Sequence, residues 1–433
     1  MEQIRQLKFA AGLAKIMETF HNFTRPPGDI GALLEKNYPY PPWRVLVPTA
    51  IVAYLSLVQL LRFRAIRILE RKYAAYVEDP YKLNYRQAAE IMRLHQLYDM
   101  PFLFYFGTQW ALVKSYGMSS GTPLLVRTRQ LCDPIRVGRR AEDTALLLLE
   151  LLVGDIDSER GRRALARLNW IHGLYASHIK EYDYVHTLAL FVFEPARWID
   201  RYDWRPLTRL EKIAYFVYWR ELARRMGFGD LVPETLEELE EWKEQYEAEH
   251  MHYIPENHMV ATATVDLFMR TIPAFLRGFV GALFLSFIDE KPVRDALGFP
   301  DPSQWATLLT TGFFQLRGFI LRHFFLPRIA PIDPVARPGE DGRLYREPRW
   351  IAFEPWYVAN TWYNRVVLWL MSGGKLAPGG KYEGRGYAPE ELGPVEFKDK
   401  GIKEVLREAE IMKMYAIEKN EIIGAGCPFA FGR

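Results

Sequence analysis

The stretch that decides the fold runs from Tyr182 to Met226 and reads YDYVHTLALFVFEPARWIDRYDWRPLTRLEKIAYFVYWRELARRM. Its apolar residues recur every three to four positions, which predicts helices over 182–200 and 207–226, with a helix-breaking signal at Pro195. The same spacing continues outward and predicts further helices over 84–95, 101–116, 123–131, 137–153, 159–179, 234–250, 257–271, 273–289 and 301–323. No run alternates with period two, so we predict no strand and an all-α fold.

The composition excludes several classes of protein. Lys plus Arg number 56 against 53 Asp plus Glu, a balance too even for a dedicated nucleic-acid binder. The two cysteines, Cys132 and Cys427, exclude a disulfide framework, a cysteine zinc site and an iron–sulfur cluster. Aromatic residues reach 14% of the chain, which is typical of a large ligand pocket or a membrane-facing surface, or equally of a large aromatic core.

Residues 45–61 read VLVPTAIVAYLSLVQLL and carry no charge over 17 positions. This length lies at the short end of the transmembrane range, and Trp43 precedes it as an interfacial aromatic would. Five basic residues follow directly (Arg62, Arg64, Arg67, Arg71 and Lys72), so the positive-inside rule places the rest of the chain in the cytosol. We expect a single-pass anchor; the alternative is a buried core helix.

The pattern divides the chain into three parts. Residues 1–42 form an N-terminal amphipathic segment, helical over 1–23, and a linker, and residues 43–76 form the anchor helix with its extension. Residues 77–433 form one multi-helix domain with an irregular C-terminal region, since 327–342 is rich in Pro and 373–393 in Gly.

His172 is the most informative of the nine histidines. It lies on an apolar helical stripe between Leu168 and Tyr175, where a histidine either has a hydrogen-bond partner or stays neutral. A hydrogen-bonded core histidine is one interpretation, and a neutral ligand of a metal or of haem iron is the other. His186 follows in the next helix, after a short turn, so both rings are expected to face one cavity.

Arg140 and Thr144 lie one turn apart at the head of another apolar stripe. They predict the polar end of an apolar pocket, in which Arg140 binds an anion or polarises bound oxygen; the alternative is a surface ion pair of Arg140 with Asp143. Motifs for hydrolytic zinc chemistry and for nucleotide-phosphate binding are absent from the sequence. Two Glu-x-x-His pairs, at Glu18 and at Glu247, stand on opposite sides of the predicted anchor, which argues against a di-iron site.

Three segments carry a resemblance to a known family. LCDPIRVGRRAEDTALLLLELL at 131–152, RLNWIHGLYASHI at 167–179 and the run 191–228 resemble the MpaB-type oxygenases, which are related to the catalytic domain of the rubber oxygenases (latex clearing proteins). The stretch YEAEHMHYIPEN at 246–257 and the terminal GCPF at 426–429 are similar to the fungal branch. The likeness extends over most of the chain from about residue 80.

The resemblance implies an all-helical domain around a buried haem b pocket, in which O₂ is used to cleave a carbon–carbon double bond of an isoprenoid chain. It implies that His172 is the proximal iron ligand, with Tyr175 and His186 beside the cofactor. Arg140 and Thr144 match the family's distal Arg-x-x-Lys-Thr motif, whereas Asp143 replaces the lysine, and these three are the expected catalytic residues. The expected partners are therefore the lipid bilayer, which the resemblance implies to be that of the endoplasmic reticulum, a hydrophobic prenyl-type substrate and O₂. The alternative function is a non-catalytic, membrane-tethered haem- or lipid-binding protein.

Overall fold

The computed structural model describes residues 43–421, and the predicted amphipathic segment, its linker and the GCPF motif fall outside this range. The chain divides into two compact units between Leu61 and Arg62. The architecture is all-α, as predicted. The α-helices are α1 (Trp43–Arg62), α2 (Arg64–Lys72), α3 (Tyr85–Arg93), α4 (Pro101–Ser115), α5 (Thr122–Arg127), α6 (Val137–Leu152), α7 (Glu159–Leu174), α8 (Glu181–Tyr202), α9 (Arg209–Arg225), α10 (Leu236–His250), α11 (Pro255–Met269), α12 (Arg277–Ser286), α13 (Lys291–Leu297), α14 (Gln304–Phe324), α15 (Trp362–Ser372) and α16 (Ile402–Glu421).

The C-terminal third contains more regular structure than the sequence pattern predicts. Helices α15 and α16 form where only irregular chain is expected, and a two-stranded antiparallel hairpin pairs β1 (Arg337–Pro338) with β2 (Leu344–Tyr345). The expectation of no strand is wrong for this hairpin, since two residues per strand are too short to produce a period-two signal. Leu344 also bridges to Tyr387, which joins the hairpin to the Gly-rich stretch.

Helix α1 carries the predicted anchor. By length and composition the stretch 45–72 is apolar enough to cross a membrane, and it is the candidate span within the described residues. The predicted single helix over 43–76 is wrong in detail, because the helix is interrupted at Phe63 and α2 ends at Lys72. The α2 segment after this break is basic and belongs to the second compact unit.

The most extensive helix pairing in the second unit joins α4 to α8. A Cβ atom on Gly107 of α4 would lie 2.6 Å from the Cα atom of Pro195, so only glycine permits this close approach. Pro195 lies inside α8 and does not break it, which corrects the predicted break. The proline removes one backbone hydrogen bond, and the tight packing on α4 holds the helix together across that gap.

Around this pair the aromatic residues form a continuous cluster. The ring centroids of Phe106 and Trp198 are 4.7 Å apart, those of Trp110 and Phe284 are 5.3 Å apart, and Phe314 adds a ring from α14. The edge-to-face angles of these pairs are those that aromatic quadrupoles favour. Much of the high aromatic content therefore lies in the core.

A buried charged network lies beside this cluster, where the chain passes from α3 to α4 through a π-helical turn at Leu94–Asp99. Glu211 is its centre, because its carboxylate accepts two hydrogen bonds from the Arg205 guanidinium at 2.7 and 2.8 Å. The same carboxylate accepts the backbone N–H of Thr208 at 2.8 Å and so completes the capping box that begins α9. His95 Nδ1 stands 3.6 Å from it, and Arg205 holds the pKa of Glu211 well below its usual range despite burial.

Replacing Glu211 by Gln removes the carboxylate that binds Arg205 through two hydrogen bonds while preserving the shape of the side chain. We expect the free energy of unfolding to fall by about 2–4 kcal/mol, because the buried guanidinium then keeps a single carboxylate partner, Asp99 at 3.2 Å. Chemical denaturation followed by circular dichroism measures the change. Asp295→Asn, which breaks the exposed pair of Lys291 with Asp295 at 2.8 Å, is the control and should change stability by less than about 1 kcal/mol. An equal effect of the two substitutions would contradict this assignment.

Candidate functional site

Helices α6 and α7 form an antiparallel pair connected by the turn at 153–158. Ser158 begins α7 by accepting a hydrogen bond from the backbone N–H of Gly161 at 3.0 Å. The antiparallel arrangement brings the first turn of α6 beside the last turn of α7, and the positive charge of Arg140 accordingly acts on His172. The two principal residues predicted from the sequence therefore lie close enough for the charge of Arg140 to lower the pKa of His172.

His172 lies in the last turn of α7 with its ring packed 5.2 Å from that of Tyr184. Its Nδ1 atom is buried without a hydrogen-bond partner, and neither ring nitrogen is bonded to any residue in the described part of the chain. Burial and, second, the charge of Arg140 lower the pKa of His172 to about 4. At neutral pH the imidazole is uncharged, so one ring nitrogen carries a lone pair that can bind a metal. The hydrogen-bonded core histidine considered above does not form.

Arg140 is fixed by its own helix. Its Nη1 donates to the Thr144 hydroxyl, which in turn donates to the backbone carbonyl of Arg140 at 2.8 Å. Among residues 43–421, no carboxylate lies within ion-pair distance of this guanidinium, and burial lowers its pKa. An enclosed cation without an acidic partner favours an anion or a polarisable ligand.

Two tyrosines surround the Arg140 guanidinium. Tyr175 caps the C-terminus of α7, and Tyr116 directly follows α4; both hydroxyls interact electrostatically with Arg140. Burial raises the pKa of both phenols, so they are neutral at physiological pH and do not cancel the positive charge of Arg140.

Because α7 ends at Leu174, the predicted helix over 159–179 is five residues too long, and the residues from Tyr175 onward leave the apolar stripe.

Asp143 is directed toward the C-terminal segment. Its carboxylate accepts hydrogen bonds from the Tyr357 hydroxyl at 2.6 Å and from the backbone N–H of Gly393 at 3.2 Å. Its ion pair is with Arg139 at 3.6 Å, so the surface pair with Arg140 considered above does not form. Burial raises the pKa of Asp143 to about 6 against the opposing charge of Arg139. Asp143 thus ties α6 to the segment 357–393.

The neighbours of Asp143 on α6 contact the same segment. Glu142 accepts hydrogen bonds from the backbone N–H groups of Ala352 and Phe353, the latter at 2.9 Å. Arg139 donates to Glu383 at 2.7 Å. Sequence reasoning missed Tyr357 and Gly393, because nothing in a sequence pattern links positions more than 200 residues apart.

His186 occupies a different environment from His172. Its Nε2 is 3.0 Å from Glu247, whose carboxylate also accepts from Lys243 at 3.0 Å. Burial lowers the pKa of His186 while Glu247 opposes that shift, and the ring packs 5.9 Å from Tyr246. One ring nitrogen of His186, Nε2, is therefore already engaged, whereas its Nδ1 is buried without a hydrogen-bond partner in the described part of the chain.

A Glu-x-x-His di-iron site would require Glu247 to bind metal together with His250. The Glu247 carboxylate instead contacts His186. Within the described range, no cluster of three His, Cys, Asp or Glu side chains could hold a metal ion. A cavity of about 300 Å³ opens at the opposite end of the α6–α7 pair, around Gly154 and Tyr218, and none of the predicted site residues lines it.

Comparison with known proteins places this arrangement in context. The family model for the catalytic domain of ER-bound oxygenase mpaB/B' and rubber oxygenase matches residues 99–320, which is just over half of the chain. The ER-bound oxygenase mpaB' of Penicillium brevicompactum is 28% identical over 412 residues, covering 89% of this chain and 95% of the relative. The ER-bound oxygenase mpaB of Penicillium roqueforti is 29% identical over 271 residues, covering 59% of this chain and 91% of the relative. The mpaB of P. brevicompactum is 27% identical over 78% of this chain and 84% of its own length.

Gly138, in the first turn of α6, tests whether this helix is fixed by the C-terminal segment. A Cβ atom here would overlap the Glu354 carboxylate, which binds Arg270 at 2.8 Å and the Trp356 indole N–H at 3.1 Å. We expect Gly138→Ala to lower the free energy of unfolding by about 1–3 kcal/mol through overpacking, measured by chemical denaturation.

Gly278→Ala is the matched control, because Gly278 is also helical and has nothing within 4 Å of the added methyl group. It should leave stability unchanged or raise it by about 0.5–1 kcal/mol. If Gly138→Ala behaved like this control, the contact of α6 with Glu354 would not exist in solution.

Proposed function

We propose that this chain, which belongs to the family of ER-bound MpaB-type oxygenases and rubber oxygenases, is a membrane-anchored oxygenase that uses haem b and O₂ to cleave a carbon–carbon double bond of a prenyl-type chain. The observation that carries the proposal is the proximity of His172, a neutral imidazole with an unpartnered buried nitrogen, and Arg140, a partly buried cation without an ion-pair partner among residues 43–421. All the residues involved lie within the matched range 99–320.

The donor set fits haem b. Haem iron takes a single neutral imidazole from the protein on its proximal side, so no cluster of ligands is needed. His172 is the better candidate than His186, because the Nε2 of His186 is held by Glu247. Tyr175 adjoins Arg140 at the end of α7 and would border the cofactor. When bound, the haem would supply the binding and activation of O₂.

Arg140 is proposed to stabilise negative charge that develops during oxygen transfer. A fixed cation in an enclosed site is effective because it needs no reorganisation at the moment of reaction. Thr144 holds the guanidinium in place through the hydrogen bond of its hydroxyl. Asp143 acts as a positioning residue in this proposal, since its oxygens are engaged by Tyr357 and Gly393 on the other side of α6.

The proposed reaction is balanced without an external reductant. Splitting one double bond with both atoms of O₂ gives two carbonyl fragments. A prenyl-type substrate partitions into lipid, and α1 of this chain is apolar enough to span a membrane. We propose the endoplasmic reticulum as that membrane, because the relatives are named ER-bound oxygenases. The basic residues after Leu61 favour a cytosolic orientation of the C-terminal bulk.

The cofactor is tested by substituting the ligand. His172→Ala should lose the Soret band and most of the haem measured as pyridine haemochrome, and should unfold at a lower temperature because a ligand of the native state is lost. His178→Ala is the control, since His178 is exposed and its ring contacts the hydroxyl of its neighbour Ser177 at 3.0 Å. Full haem content with an unchanged spectrum in His172→Ala would contradict the assignment and redirect it to His186.

Turnover is tested at Arg140. Arg140→Ala should keep the haem and lose about 100-fold in the rate of aldehyde or ketone formation from a prenylated substrate under O₂. Thr144→Ala should follow in the same direction, because it releases the guanidinium. Arg136→Ala is the control on the same turn, since Arg136 is exposed and pairs with Glu396 at 2.5 Å.

Two outcomes would contradict this account. Wild-type turnover in Arg140→Ala with haem intact would exclude Arg140 from the reaction. Haem binding that depends on His172, but without carbonyl product from any prenylated compound, would favour the non-catalytic haem- or lipid-binding alternative.

A further inference from the structure

Helix α14 is apolar on both of its sides. The inward side packs on the core through Ala306, Thr310, Phe314 and Gly318, at intervals of four residues. The outward side presents Trp305, Leu308, Phe313, Leu316 and Phe319 to solvent, with Leu308 75% exposed. The outer face of a helix on a soluble protein is normally polar, so this outward row is not explained by the fold.

The exposed row continues onto two neighbouring elements. Phe279 of α12 stacks on Trp305 with centroids 5.5 Å apart, and Phe275, just before α12, is 83% exposed. Helix α15 presents Trp362, which is 76% exposed, together with Tyr363, Trp369 and Leu370. Lys375, just after α15, donates to the carbonyl of Thr271 at 2.8 Å and so connects the end of α15 to the chain leading into α12. We call the exposed side chains of 275–279, 305–319 and 362–371 the apolar face.

The charges around the apolar face have a single sign. The segments 274–288, 303–332 and 355–382 contain seven Lys or Arg residues and no Asp or Glu, in a chain whose overall charges nearly balance. By contrast, α10 alone carries seven Glu and one Lys. Basic residues bordering an apolar surface rich in Trp, Phe and Leu are typical of proteins that insert partly into an anionic bilayer.

The same charges argue against a second copy of the chain as the occupant. A two-fold contact brings identical patches together, and here it would oppose segments that hold seven basic and no acidic residues, of which Arg317 and Lys381 are paired with Asp203 and Glu354 of their own chain. Tryptophan and tyrosine at the edges of the surface favour the headgroup region of a membrane, where one end of the ring is apolar and the other is wet.

We infer that the apolar face of the second compact unit is a membrane-binding surface of its own, additional to the anchor at α1, and that it inserts into the interfacial layer of a bilayer containing anionic lipid. Such insertion reaches roughly 5–10 Å below the headgroups. It places Leu308 of α14 and Leu370 of α15 among acyl chains. The basic residues, such as Arg328 and Arg365, then lie at the level of the lipid phosphates.

The test measures depth in the full-length chain reconstituted into vesicles. Single cysteines are introduced as Leu308→Cys and Leu370→Cys in a background carrying Cys132→Ser and Cys427→Ser, after its thermal unfolding has been matched to the wild type. Each is labelled with an environment-sensitive fluorophore in vesicles of phosphatidylcholine with about one third phosphatidylserine. Glu244→Cys on α10, which is exposed and lies on the acidic helix, is the matched control.

The labels at 308 and 370 should shift to shorter emission wavelength and be quenched by lipids that carry a nitroxide on the acyl chain, whereas the label at 244 should do neither. Quenching should weaken in vesicles of phosphatidylcholine alone, and in the Arg328→Gln, Arg365→Gln double variant. Equal quenching in both kinds of vesicle would contradict the role of anionic lipid.

Two further results would overturn the inference altogether. Labels at 308 and 370 that emit like the control would show a face in contact with water. A blue shift without lipid quenching would show that protein covers the face, either a second copy, detected by cross-linking of the two cysteines between chains, or the chain's own residues 1–42.

Discussion

The buried carboxylates of Glu142 and Asp143, which hold the first turns of α6 against the segment 352–393, are the interaction on which the site depends. Burial raises their pKa values to about 7 and about 6, so the native state binds protons more tightly than the unfolded chain does. Their contribution to stability therefore falls as the pH rises through this range. At neutral pH the burial of these carboxylates is unfavourable in free energy, but their hydrogen bonds fix the position of α6.

Two sides of α6 carry different residue pairs, one that contacts the C-terminal segment and one that is proposed to act in the reaction. Arg139 and Asp143 lie one turn apart on the side that contacts the C-terminal segment, and Arg140 and Thr144 lie about 100° further round the helix. Asp143 forms its ion pair with Arg139, so it acts on Arg140 only through the longer-range attraction of their charges. From the other side, the buried guanidinium of Arg167 on α7 binds the carbonyl of Leu392 at 2.7 Å, so both helices of the site are held by one segment.

Local information was enough to predict the helices and to single out His172 and Arg140 as candidates, because a polar residue on an apolar stripe is visible within ten residues of sequence. Contacts between distant segments could not be predicted in this way. Tyr357, whose backbone adopts a positive φ of 64°, gives no such signal, and its partner Asp143 lies more than 200 residues earlier. Pro195 was misjudged because the packing that carries α8 across it comes from Gly107 on another helix.

The high aromatic content does not by itself show which rings lie in the core and which lie on the surface. Phe313 and Phe314 are neighbours on α14, yet the first is 59% exposed and the second only 4%. Phe314 joins the aromatic core and contributes to folding, whereas Phe313 presents apolar area to water, where it contributes nothing until it is covered. Core and surface thus share one residue type, and only the orientation of the helix distinguishes them. Because the inward side of α14 includes residues as small as Gly318, the helix packs closely on the core, and the larger rings on its other side stay outside it, where a membrane is the environment that their chemistry suits.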